Sequence, residues 1–163
     1  MDNNGQITGE YLLLIGFGVM VSILIGYNAA QTIELNTCMA AARNGAMTGI
    51  TMDSLAVYPT EKFQEYAKKY PGLKSSSKIQ FIGLDYENEG FDPKYQKIKI
   101  KLKITASTSI KNWKERDCAG DRINYYVRRC ICESFNTENL TNVYYNPAFT
   151  DRYVVTTSEV QWT

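Results

Sequence analysis

Residues 6–27 read QITGEYLLLIGFGVMVSILIGY. One acid, Glu10, stands directly before a run, Tyr11 to Tyr27, that holds no charged residue, and no Lys or Arg occurs before Arg43. An α-helix needs roughly 20 apolar residues to cross about 30 Å of hydrocarbon, and Tyr11 to Ala30 supplies them. The first proline is Pro59, so nothing forces a break beyond the apolar run. Leu35, Met39, Ala42, Ala46 and Ile50 then recur at steps of three and four, which places them on one helical face. Gly45 and Gly49 weaken the far end, and Gly49 reads as a stop. One continuous helix is expected over residues 6–48. Its first half faces lipid or other helices, and its second half seats a head.

The head occupies residues 49–163 and changes period. A short helix is expected near 61–70, capped by Thr60 after Pro59, with Phe63, Tyr66, Ala67 and Tyr70 on its apolar face. Pro71-Gly72 ends it. Ile98, Ile100, Leu102, Ile104 and Ala106 then alternate with Lys97, Lys99, Lys101, Lys103 and Thr105, the period of a half-buried strand. Lys78–Tyr86 is its expected hairpin partner. Ile123–Ser134 and Arg152–Trp162, rich in Tyr, Val and Thr, read as further strands, with a polar loop over 136–150. The fold class is α+β: a long N-terminal α-helix packed on a small antiparallel β-sheet head.

Composition narrows the function classes. The chain has 163 residues and a formal net charge of +1, which gives no overall electrostatic case for nucleic acid. All Lys and Arg follow residue 42, so a hydrophobic rod precedes a charged, tyrosine-rich body. The absence of histidine removes the commonest general base and metal ligand. No catalytic constellation, metal or cofactor is expected. Four cysteines, Cys38, Cys118, Cys130 and Cys132, allow three disulfide pairings. In a strand Cys130 and Cys132 would share a face and look for partners elsewhere, with Cys38 and Cys118 as candidates. Free thiols are the alternative.

Several local patterns add detail. Gly18, Ser22, Gly26 and Ala30 recur every four residues, a stripe that lets membrane helices approach closely. The run Asp85–Gly90 has oxygen ligands at alternate positions like a calcium loop, but Gln96 stands where a bidentate Glu belongs, and a solvated loop is the better reading. The lysine row on 97–103 could bind an anionic surface, although such rows more often solubilise or protect an edge. Asn139-Leu-Thr141 is an N-glycosylation acceptor pattern.

Gln6, Thr8, Glu10 and Leu14, followed by the apolar helix, resemble the class III signal peptide of archaeal type IV pilin precursors, Gln-x-Ser-x-Glu-x-x-x-Leu, with Thr8 in place of Ser. The resemblance covers about the first 25 residues of 163. It implies a leader over residues 1–5, cut between Gly5 and Gln6 by a prepilin peptidase. It implies a membrane-held precursor, drawn by pilus assembly machinery into a homopolymeric surface filament. Glu10 would then pair with the α-amino group of Gln6 on a neighbouring subunit and set the axial register, with Leu14 and the run to Ala30 as filament core. The head would face outward for adhesion or surface contact. The alternatives are a single-pass anchored protein that never polymerises, and a secreted domain whose signal ends near Ala30.

Overall fold

The computed structural model describes residues 3–163; the side chains of 3–8, 60–63 and 67 are outside the description. The expected leader therefore includes Met1 and Asp2, which lie outside the described residues. The chain falls into two compact units, Met1–Asn36 and Thr37–Thr163.

The first unit is the leading part of helix α1 (Asn3–Ser54). Its apolar side chains from Tyr11 to Tyr27 are largely exposed. An 18-residue window of mean hydropathy 2.0 makes it long and apolar enough to cross a membrane. Its polar side chains turn back on their own backbone. Ser22 Oγ donates to the Gly18 carbonyl at 2.8 Å, Asn28 Nδ2 to Leu24 at 2.8 Å and Thr32 Oγ1 to Asn28 at 3.0 Å. Apolar surroundings demand such internal satisfaction.

In the second unit the rest of α1 is a packing element. Cys38, Ala41, Ala42, Ala46 and Ile50 are buried at helical spacing. Of the expected face, Ala42, Ala46 and Ile50 are buried, whereas Leu35 and Met39 are only half-buried. The helix does not stop at Gly49. Gly45 and Gly49 are where helix α3 (Trp113–Phe135) crosses it. A Cβ on Gly45 would lie 2.5 Å from the Tyr126 carbonyl oxygen and 2.6 Å from Val127 Cα, and one on Gly49 would lie 2.9 Å from Ile123 Cα. These glycines permit backbone contact. The helix stops six residues later than expected. Val57 N–H reaches back to the Met52 carbonyl at 2.9 Å and Ala56 N–H to Asp53 at 3.2 Å. Ala56 takes the left-handed conformation, φ 52°, that this closing motif requires.

Helix α2 (Thr60–Lys69) forms where expected. Thr60 is its first helical residue and no side chain caps it; Pro59 precedes it. The apolar positions Phe63 and Ala67 lie outside the described side chains. A short 3-10 turn, Pro71–Lys74, follows and buries Leu73. The Gly72 N–H donates to Glu115 Oε1 at 2.8 Å, which ties this turn to the start of α3.

Strands β1 (Ile79–Asp92) and β2 (Lys97–Thr108) form the expected antiparallel hairpin, longer than expected on the β1 side. Ile100, Leu102, Ile104 and Ala106 are fully buried, and the lysines face the other way. Helix α3 then returns the chain so that β4 (Tyr153–Thr157) and β5 (Gln161–Trp162) both run parallel to β2. The two-residue strand β3 (Ala148–Phe149) pairs antiparallel with β4. The sheet order is β1-β2-β4-β3, with β5 beside β2. The α+β class stands, and the sheet is mixed, because a crossover helix between β2 and β4 makes that pair parallel.

The largest departure from expectation is α3 itself. Ile123–Ser134 is helix, not strand. Ala119, Ile123, Val127 and Ile131 are fully buried at steps of four. Asn112 caps the start by accepting from Lys114 N at 3.1 Å. Asn136, at φ 52°, closes the end. The helical period outweighs the β-propensity of Tyr125, Tyr126 and Val127 because it lets one face cover the sheet and α1 together.

Gly45→Ala should destabilise the full chain in detergent by roughly 1–3 kcal/mol, since the added methyl meets backbone that cannot yield. Gly18→Ala, where a Cβ meets nothing within 4 Å, should leave the head's thermal transition in place. Ala56→Gly should raise the transition by up to about 1 kcal/mol, relieving a left-handed alanine. Circular dichroism melts would decide all three; an undisturbed Gly45→Ala melt would refute the close α1–α3 contact.

Candidate functional site

Two features carry the chemistry: the open surface of leading α1, and a polar cluster in the head.

On α1, Glu10 and Leu14 are exposed, as are Gly18, Ser22 and Gly26, while Ala30 is half-buried. A Cβ on Gly16, Gly18 or Gly26 would meet no atom within 4 Å. The stripe is open for a neighbour, and its four-residue spacing puts it on one face. The backbone of Gly5 and Gln6 is helical in α1, and the Gln6 side chain lies outside the description.

In the head, the buried face of α1 ends on an acid. Asp53 is 2% exposed. Arg122 of α3 donates from Nε to Asp53 Oδ1 at 2.6 Å, and its Nη2 stands 2.5 Å from the same oxygen. Nη1 donates to Cys118 Sγ at 3.1 Å, and Nη2 to the Tyr58 hydroxyl at 3.2 Å. The guanidinium also lies between two rings, 4.4 Å from the Tyr58 centroid and 4.8 Å from that of Tyr66, which meet edge to face at 5.2 Å. Such cation–π contacts strengthen when water is excluded.

Burial pushes the Asp53 carboxyl from 3.8 up to about 6, against the opposing pull of Arg122. Burial likewise raises Tyr58 to about 12. For Arg122 burial acts downward, but Asp53 and its aromatic neighbours outweigh it and the net shift is upward. The guanidinium therefore stays charged, and Asp53 is the member of the pair that titrates.

Around this pair opens a cleft of about 600 Å³, walled by Tyr58, Tyr66, Tyr125, Tyr126 and Tyr144 with Arg129 at its edge. The 136–150 segment supplies Tyr144 and is held in place. Asn142 Oδ1 accepts from the backbone N–H groups of Tyr144 and Asn146 at 2.9 and 3.1 Å, and Arg128 Nε donates to the Tyr144 carbonyl at 3.3 Å.

The structure places none of the four cysteines in a disulfide. The expected shared face is absent: on helix α3 Cys130 and Cys132 lie about 200° apart, with Cys132 buried and Cys130 half-buried. Burial raises the thiols of Cys118, Cys130 and Cys132, keeping them protonated. The lysine row is largely paired. Lys99 and Lys101 meet Glu89 at 2.8 and 3.4 Å, and Lys103 meets Glu87 at 2.7 Å. Lys97 Nζ donates to the carbonyls of Thr150 and Asp151 at 2.6 and 2.7 Å. Glu87 and Glu89 belong to the run that resembled a calcium loop, which is strand here. Glu89 sits in a bulge of β1, beside Gly90 at φ 88°, and so reaches two lysines. Among the described residues no cluster of three His, Cys, Asp or Glu could hold a metal. Asn139 is exposed in a 3-10 turn, Glu138–Leu140, and Thr141 Oγ1 of its sequon donates to the Pro147 carbonyl at 2.6 Å.

Sequence reasoning missed Asp53, Tyr58, Tyr66, Cys118 and Arg122 as a cluster. The available signal was Asp53 itself, an acid three residues beyond Ile50 on the buried face of α1.

The titration has a defined sign. An unfolded Asp53 carboxyl takes its proton near 3.8 and the folded one near 6. Its contribution to stability is thus full below about pH 4 and lost as pH rises through about 6. Asp53→Asn should flatten the pH dependence of melting between pH 4 and 7, by up to about 3 kcal/mol relative to wild type. Arg122→Ala should cost roughly 3–5 kcal/mol at neutral pH by leaving a buried acid alone. Parallel pH profiles for wild type and Asp53→Asn would contradict the assigned titration. Comparison with known proteins returns no match: no family model, no curated protein and no solved structure is significantly similar to this chain.

Proposed function

We propose that the chain is a pilin: a structural subunit that polymerises through leading α1 into an archaeal type IV pilus-like surface filament. The observation that carries the reading is the joining of two features on one helix. Glu10 stands at the head of an exposed apolar surface with an open small-residue stripe, and the same helix runs on, unbroken, to become the packing spine of the head. A long apolar N-terminal helix followed in the chain by a small sheet is the element order expected of a pilin.

Physical reasoning supports each step. Before assembly, the apolar run holds the precursor in the membrane. Cleavage between Gly5 and Gln6 by a prepilin peptidase would create an α-amino group. Glu10 buried in a filament core without a partner would be costly, and that amine on a neighbouring subunit neutralises it. The open stripe at Gly18, Ser22, Gly26 and Ala30 lets helices bundle closely. The role is structural, not enzymatic, with the head turned outward from the cell surface.

Mass spectrometry of the native N-terminus should find Gln6 as the first residue. Glu10→Ala should yield cleaved, membrane-held protein and few or no sheared filaments, with an unchanged head melt. An intact Met1 in cells that assemble surface filaments, or filaments from Glu10→Ala at wild-type yield, would refute the reading. An intact Met1 with no filament containing this chain would mark a single-pass anchored protein instead.

A further inference from the structure

We infer that the tyrosine cleft of the head is a binding site for neutral carbohydrate. The inference concerns the head alone and does not depend on polymerisation.

The cleft has the attributes of a small-ligand site. Its volume of about 600 Å³ falls within the roughly 300–1,000 Å³ usual for such sites. Five tyrosines wall it, with Asp121, Arg122 and Arg129 as converging polar groups. Groups with displaced titration, Tyr58, Cys118 and Arg122, line it. It is preformed: Tyr58 and Tyr66 are locked onto the Arg122 guanidinium, and Tyr125 is held edge to face against Tyr126 at 5.6 Å and Tyr145 at 5.5 Å.

Charge selects the ligand class. Asp53 neutralises Arg122, and Glu133 neutralises Arg129 at 2.7 Å. Asp121 also lines the cleft. Among the described residues lining the cleft, both cations, Arg122 and Arg129, already have a carboxylate partner, which disfavours a phosphate, sulfate or carboxylate ligand. A peptide adding as a strand would need a free sheet edge, and the walls come from α2, α3 and the 58–59 and 143–144 segments instead. What remains is a surface of flat rings carrying hydroxyls, with a carboxylate and guanidinium beside them. That chemistry matches a neutral pyranose chain. The C–H faces of a sugar stack on tyrosine rings, and its hydroxyls exchange hydrogen bonds with phenols, Asp121 and Arg129. Tyrosine supplies this amphipathic contact at low entropic cost.

The test uses full-length protein in a detergent without a sugar headgroup. Neutral tetrasaccharides of glucose, mannose and N-acetylglucosamine are titrated by NMR, alongside a uronic-acid tetrasaccharide and a sulfated one. At least one neutral chain should bind, and the acidic chains should bind more weakly. Tyr125→Ala and Tyr144→Ala should each weaken binding about tenfold, while Tyr86→Ala, on β1 away from the cleft, should not. A melt recorded for each variant separates lost binding from lost fold, and Tyr144→Ala, at an exposed residue, should melt as wild type does. The inference fails if no neutral chain binds at millimolar concentration, if acidic chains bind better, or if the tyrosine variants bind as wild type does. It fails equally if the cleft mediates self-association that Tyr144→Ala abolishes.

Discussion

The head depends on how closely two helices can approach. Gly45 and Gly49 let the backbone of α1 touch α3 at Tyr126, Val127 and Ile123. That contact sets their separation, and it sets the register one turn further on. Asp53 arrives opposite Arg122 because Gly49 has already met Ile123, the residue next to Arg122. The ion pair then holds the guanidinium against Tyr58 and Tyr66, which forms the floor of the cleft. A buried pair of this kind adds little net stability, because desolvation offsets its attraction. Its effect is to fix one arrangement of side chains where several would pack.

Much of the fold was legible. The uncharged run, the absence of proline before Pro59 and the stripe Ala42–Ala46–Ile50 identify α1. Strict alternation of Ile and Lys identifies β2 and its buried face. Alternation is informative there because one face packs and the other meets water. Helix α3 was not read correctly, although Ala119, Ile123, Val127 and Ile131 carry its period and Asn112 and Asn136 bracket it. Tyrosine, valine and isoleucine over 123–131 fit a strand equally well, and local preference cannot separate the two when the decisive contact is with Gly45 and Gly49, far back in the chain. The same contact explains the misreading of Gly49. Glycine looks like a helix stop in one dimension and like a crossing point in three.

The cluster was hidden for a related reason. Asp53 and Arg122 are 69 residues apart, and neither belongs to a short motif. Cys130 and Cys132 share a face only on a strand, where alternate residues point the same way; on helix α3 they do not. The carboxylates and lysines of the hairpin were visible separately, but their mutual pairing depends on a bulge at Glu89 that no local signal marks.

The sheet order has a consequence for how the head is made. β2 receives its second neighbour from residues 153–162, at the far end of the sequence. During synthesis the hairpin exists before α3 and β4 are available to complete the packing around the row Ile100, Leu102, Ile104 and Ala106. Long-range parallel pairing forms slowly, so an apolar strand waits in the open while α3 and β4 emerge. The paired lysines and glutamates on the opposite face act as gatekeepers over that interval. They keep the nascent hairpin soluble and discourage it from stacking on its copies before the crossover closes.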